Sequence, residues 1–85
     1  MEADDLREIL SYEPFRFLRF HLSDGTIILI DHPDMAMLGQ SAITLGLPPE
    51  EDDEREAVVP LSSIDWVEVV VRNRPKEDKS NGNGA

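Results

Sequence analysis

The chain contains no cysteine. That removes disulfides, thiolate nucleophiles and cysteine-ligated zinc together, and makes a cytoplasmic protein the simplest reading. It has little positive charge: eight Lys and Arg stand against eighteen Asp and Glu, a formal net charge of −10. Such a field opposes phosphate backbones, whose binding draws on Lys and Arg displacing counterions. It has no long apolar run either. The longest, Ile27 to Ile30, is far too short to span a bilayer, and Glu2, Asp4 and Asp5 stand where an export signal would carry basic residues. None of the five glycines belongs to a phosphate-cradling loop. Eighty-five residues allow one domain. A core that small supplies modest net stability, so association with another chain would help it.

What is present centres on Phe15 to Asp31, FRFLRFHLSDGTIILID. Apolar residues alternate before Asp24-Gly25 and run unbroken after it, which predicts two strands joined at Ser23-Asp24-Gly25-Thr26. Leu18, Phe20 and Leu22 share the core face. Arg19 and His21 take the other, with Phe15 and Phe17 under the helix or at a strand edge. Ile27 to Ile30, apolar on both faces, reads as the most buried strand.

Before this hairpin, Leu6, Ile9 and Leu10 fall on one helical stripe behind Asp4 or Asp5 as N-cap, which predicts a short helix over 4–11 that stops at Glu13-Pro14. After it, Asp31-His32-Pro33-Asp34 reads as a turn, and Met35 to Leu38 as one turn of helix or a ragged strand. Gly39-Gln40 reverses the chain into a third strand, Ala42 to Leu47, closed by Pro48-Pro49. The acidic run Glu50 to Glu56 reads as a solvated loop. Ala57 to Pro60 and Asp65 to Val71 are the fourth and fifth strands, joined by a tight or 3₁₀ connection with Leu61 and Ile64 turned inward. The domain is placed at 4–72. The tail 73–85 is expected to be disordered.

A short helix and five short strands, the last two separated by a brief turn, resemble the Sm-like version of the SH3-type barrel. The correspondences are the helix before Phe15, the Leu22-Ser23-Asp24-Gly25 hairpin and the stretch Val58-Val59-Pro60-Leu61-Ser62-Ser63-Ile64. The line EPFRFLRFHLSDG followed by HPD is also similar to an uncharacterised family of small bacterial domains. The fold expected is therefore mainly β, a small Sm-like or SH3-like barrel or an open twisted sheet of the same strands. The Sm resemblance implies rings that bind RNA, but its binding motifs do not match. Asp34-Met35 is followed by Ala36 where that family has asparagine, and Val59-Pro60-Leu61 stands where the bacterial RNA chaperones carry Tyr-Lys-His.

Candidate sites are few. Asp31, His32 and Asp34 have metal-ligand chemistry, but a turn bonded to backbone amides accounts for the same residues. His21 invites a general-base reading, yet no serine elbow or phosphate loop accompanies it, so it reads as an outward strand residue and the chain as a non-enzyme without cofactor. Met35, Met37 and Leu38 form either a soft docking surface or a plug for one end of the barrel. Trp66, if exposed, is the leading interface anchor, and if buried, core. The acidic run is a solubilising loop or a handle for a basic partner. Self-association or another protein is the partner expected. Nucleic acid would need Arg7, Arg16, Arg19, Arg72 and Arg74 on one face.

Overall fold

In a computed structural model, described here for residues 1–71, the chain is mainly β with one short N-terminal helix. The expected disordered tail 73–85, with Arg72 and Arg74, lies outside the described residues. Helix α1 spans Ala3–Leu10 and strand β1 Phe17–Leu22. The remaining strands are β2 (Ile27–Ile30), β3 (Ala36–Leu38), β4 (Ala42–Glu50), β5 (Asp53–Pro60) and β6 (Ile64–Val70). They do not close a barrel. Two antiparallel three-stranded sheets form instead, in the orders β2-β1-β6 and β3-β4-β5. The 3₁₀ turn Pro33–Met35 carries the chain from one sheet to the other, and the 3₁₀ turn Leu61–Ser63 brings it back. Among the described residues no helix is long and apolar enough to cross a membrane.

The helix begins earlier than its acidic pair suggested. Glu2 is the N-cap, without a side-chain cap bond, and Asp4 and Asp5 lie in the first turn, where negative charge meets the positive end of the helix dipole. Ser11 ends it, the backbone N–H and the Oγ both donating to the Glu8 carbonyl. Leu6 is fully buried and Ile9 and Leu10 pack beside it, the stripe that the spacing predicted. A helix of two turns gains its stability from this contact more than from its own propensity.

The hairpin forms where Asp24-Gly25 placed it. Gly25 takes φ +90°, and the Thr26 amide donates to Asp24 Oδ1 at 2.9 Å. This bond holds the Asp24 carboxyl below its ordinary pKa, the Thr26 backbone amide being the chief cause. The same turn is tied across the molecule, since the Ser23 amide and hydroxyl both donate to the Ser63 carbonyl.

One core joins the elements: Leu6, Leu18, Phe20, Ile28, Ile30, Ile43, Leu45, Val59, Leu61 and Ile64. Leu61 and Ile64 point inward as expected. Strand β2 corrects its prediction. Ile28 and Ile30 are buried, but Ile27 and Leu29 are 55% and 51% exposed. Strand β2 is an edge strand with one face on the core, and among the described residues no element covers the other.

The acidic run is the second correction. Glu50 pairs with Asp53 across Glu51-Asp52, so these residues form the tip of the β4–β5 hairpin, not a free loop. Glu51 adopts φ +57°, a left-handed conformation usually left to glycine or asparagine in tight hairpins. Pro48 and Pro49 do not end β4 but sit inside it, where the register slips between Leu47 and Glu50 and no ladder hydrogen is required of them. Arg55 clamps the irregularity, donating from Nε and Nη2 to the Pro48 carbonyl at 3.1 and 2.8 Å.

Candidate interaction surfaces

The outer face of the first sheet is set by its register. His21 lies between Ile27 and Trp66, and Arg19 between Leu29 and Glu68. Strand β6 carries a bulge here: Trp66 pairs with His21 but Ile64 pairs with Leu22, leaving Asp65 as the extra residue. Residues two apart in a strand ordinarily share a face. The bulge breaks that parity, so Ile64 is 4% exposed in the core while Trp66 is 52% exposed on the outside. Ser23 Oγ, 3.1 Å from Asp65 Oδ1, holds the bulged residue to the hairpin turn. The alternatives left open for Trp66 are thereby resolved in favour of the surface.

On this face the His21 and Trp66 rings stack, and His21 Nε2 lies 3.3 Å from Glu68 Oε1. Arg19 Nη1 donates to Glu68 Oε2 at 3.0 Å. The hydrogen bond from His21, and after it the one from Arg19, hold the Glu68 carboxyl below the usual range against the smaller opposing effect of burial. His21 is thus engaged with a carboxylate and an indole.

Ile27 and Leu29 lie on the surface, and the sequence carries a signal for it. Once Asp24-Gly25 sets the turn, His21 falls opposite Ile27 and Arg19 opposite Leu29, so the face of the two polar residues includes both aliphatics. Beyond them an open groove of about 690 Å³ runs to the stem of the second hairpin, lined in part by Met35, Leu47, Pro48 and Pro49.

The Met35 to Leu38 group divides. Met35 and Leu38 pack against the core from the 3₁₀ turn and β3, whereas Met37, opposite Thr44, points outward at 73% exposure. Val58, also opposite Thr44 and 71% exposed, extends this second apolar spot. Met37 and Trp66 therefore sit on different sheets and do not form one surface.

Asp31, His32 and Asp34 are all exposed around the Pro33–Met35 turn, and among the described residues no three acidic, histidine or cysteine side chains are grouped to hold a metal. The turn is closed by the Met35 amide donating to the His32 carbonyl, not by an aspartate cap. Of the arginines marked for nucleic acid, Arg7 is bound to Asp4 at 2.6 Å and Arg19 to Glu68, while the buried Nε of Arg16 has no hydrogen-bond partner among the described residues. No family model matches the chain, and neither a curated protein nor a solved structure is found that resembles it significantly.

Proposed function

We propose that this chain is a non-catalytic protein-interaction or self-assembly module of Sm-like or SH3-like architecture, opened into two sheets. The observation that carries the reading is Trp66, half exposed on an edge strand. There a partner buries a large ring and finds free backbone donors and acceptors in one place. The order of elements, a helix, a hairpin, a 3₁₀ turn, three further strands and a 3₁₀ link before the last strand, supports the architecture. Of the two outer strands of the other sheet, β5 is guarded by Asp53, Glu54 and Glu56, and β3 is only three residues long; charge along an edge and a very short edge both discourage strand pairing. The contact surface is accordingly assigned to the first sheet.

The test is the solution mass by light scattering behind a sizing column, at low and moderate salt, with and without a mixed RNA pool. The expected mass is indifferent to RNA. A ring-sized species that takes up RNA and releases it as salt rises would replace this reading with an RNA-binding ring.

A further inference from the structure

Resting on that reading, we infer that the first sheet takes its partner as an added strand on the free edge of β2: an extended run of aliphatic residues from another protein, with a Lys or Arg at the end that lies beside Asp31. The backbone supplies the first reason. In the hairpin the Leu22 amide donates to the Thr26 carbonyl at 2.9 Å, so the neighbouring residues His21 and Ile27 face each other without exchanging hydrogen bonds. Alternation repeats this at Arg19 and Leu29, and the N–H and C=O groups of Ile27 and Leu29 therefore point away from β1. No strand among the described residues pairs with that edge. Ile27 to Ile30 also lacks the charge, proline and bulge that ordinarily protect an edge.

The groove supplies the second reason. Its volume of about 690 Å³ lies between β2 and the stem of the second hairpin, where Leu47, Pro48 and Ala57 line it. That wall cannot itself pair with β2 at Pro48-Pro49, which have no amide hydrogen, and the Pro48 carbonyl already accepts two bonds from Arg55. A strand laid in the groove draws its backbone bonds from β2 alone. Its side chain opposite Ile28 turns to the core side, where Leu47 and Ala57 line the groove, and those opposite Ile27 and Leu29 lie beside them on the outer face. Both sets meet aliphatic surface.

Charge selects the partner. Of the two ionic groups that line the groove, Arg55 is engaged with Pro48, while the exposed carboxylate of Asp31 has no bond among the described residues. The net charge of −10 draws a cation to that carboxylate and repels a second copy of this chain. Antiparallel pairing, the more stable per residue, places the cation before the aliphatic run.

The experiment is a selection from a display library of random linear peptides on the immobilised full chain, followed by titration of the most enriched peptide as a synthetic ligand. The expected consensus is a Lys or Arg followed by aliphatic residues, and the bound peptide is expected to shift the amide resonances of Ile27, Leu29, Leu47 and Ala57. Methylating the peptide's backbone amides one at a time should weaken binding at least about tenfold at every second position and little in between, the period of an added strand. Leu29→Pro removes an outward N–H and none that β1 uses, and should weaken binding about tenfold with the fold intact by circular dichroism. The methylation scan, which leaves the protein unaltered, stands in for that variant if it fails to fold. Asp31→Asn should weaken binding about two- to fivefold, and Met37→Glu, on the other sheet, should leave it unchanged. A selection without an aliphatic consensus overturns the inference, as does a methylation scan without a period of two. Peptides that shift Trp66 and the rest of β6 instead overturn the β2 edge and keep the interaction module, which falls separately if the solution mass shows a ring loaded with RNA.

Discussion

The imidazole of His21 lies flat against the indole of Trp66, with ring centroids 3.9 Å apart and planes within 8° of parallel. The two residues come from opposite ends of the domain and meet because β1 and β6 pair with His21 directly across from Trp66. Glu68 Oε1 lies 3.3 Å from Nε2 of the same imidazole.

Because the chain has a single tryptophan, this stack is directly readable. An imidazole in van der Waals contact with an indole quenches its excited state. At a fixed neutral pH, Trp66 emission should therefore rise in His21→Gln, where the stacked ring is gone. Emission unchanged in the variant would mean that the two rings do not stack in solution.

Stability should carry the signature of Glu68. Its folded-state pKa is depressed by its bonds from His21 and Arg19. The stabilisation is then complete above the carboxylate's ordinary pKa and is lost as pH falls through the lower folded value. Melting curves of wild type and Glu68→Gln should differ at neutral pH and converge on acidification. A gap independent of pH would show that Glu68 acts through shape or packing instead.

The two faces of the first hairpin should respond very differently to truncation. Phe20 is fully buried, and Phe20→Ala should cost about 3–5 kcal/mol in denaturant unfolding; Leu18→Ala should cost about 2–5 kcal/mol. Leu29→Ala, in the neighbouring strand opposite Arg19, should cost under about 1 kcal/mol at concentrations where the chain is monomeric. Equal costs would mean that β2 is covered on both sides.

At the tip of the second hairpin, Glu51 holds a left-handed conformation without the freedom of glycine. Glu51→Asn should stabilise the chain by up to about 1 kcal/mol, since asparagine tolerates this region and the change removes one of six crowded carboxylates. Glu51→Val should destabilise by at least as much, the branched side chain clashing at positive φ. Thermal melts of the two variants that moved in the same direction would place the turn elsewhere.

Local chemistry by itself determined much of this protein. The Asp24-Gly25 turn, the buried Leu18 and Phe20, the Leu6 stripe and the inward Leu61 and Ile64 all follow from residues that act on near neighbours, and each is where the sequence places it. What depended on distant pairing was not readable. The acidic run has neither turn glycine nor apolar alternation, and it becomes a hairpin because β5 continues a ladder on β4 that Arg55 pins at Pro48. Ile27 and Leu29 look like core in a run of four aliphatics, and only the edge position of β2 leaves them bare. Trp66 depended most on the tertiary structure. Strand parity with the buried Ile64 would have sent it inward, and the bulged Asp65, held by Ser23 from the first hairpin, turns it out beside His21. Alternation is a local property that any strand displays. This bulge lies between β1 and β6, two strands distant in sequence, so the face on which Trp66 emerges was decided by the fold.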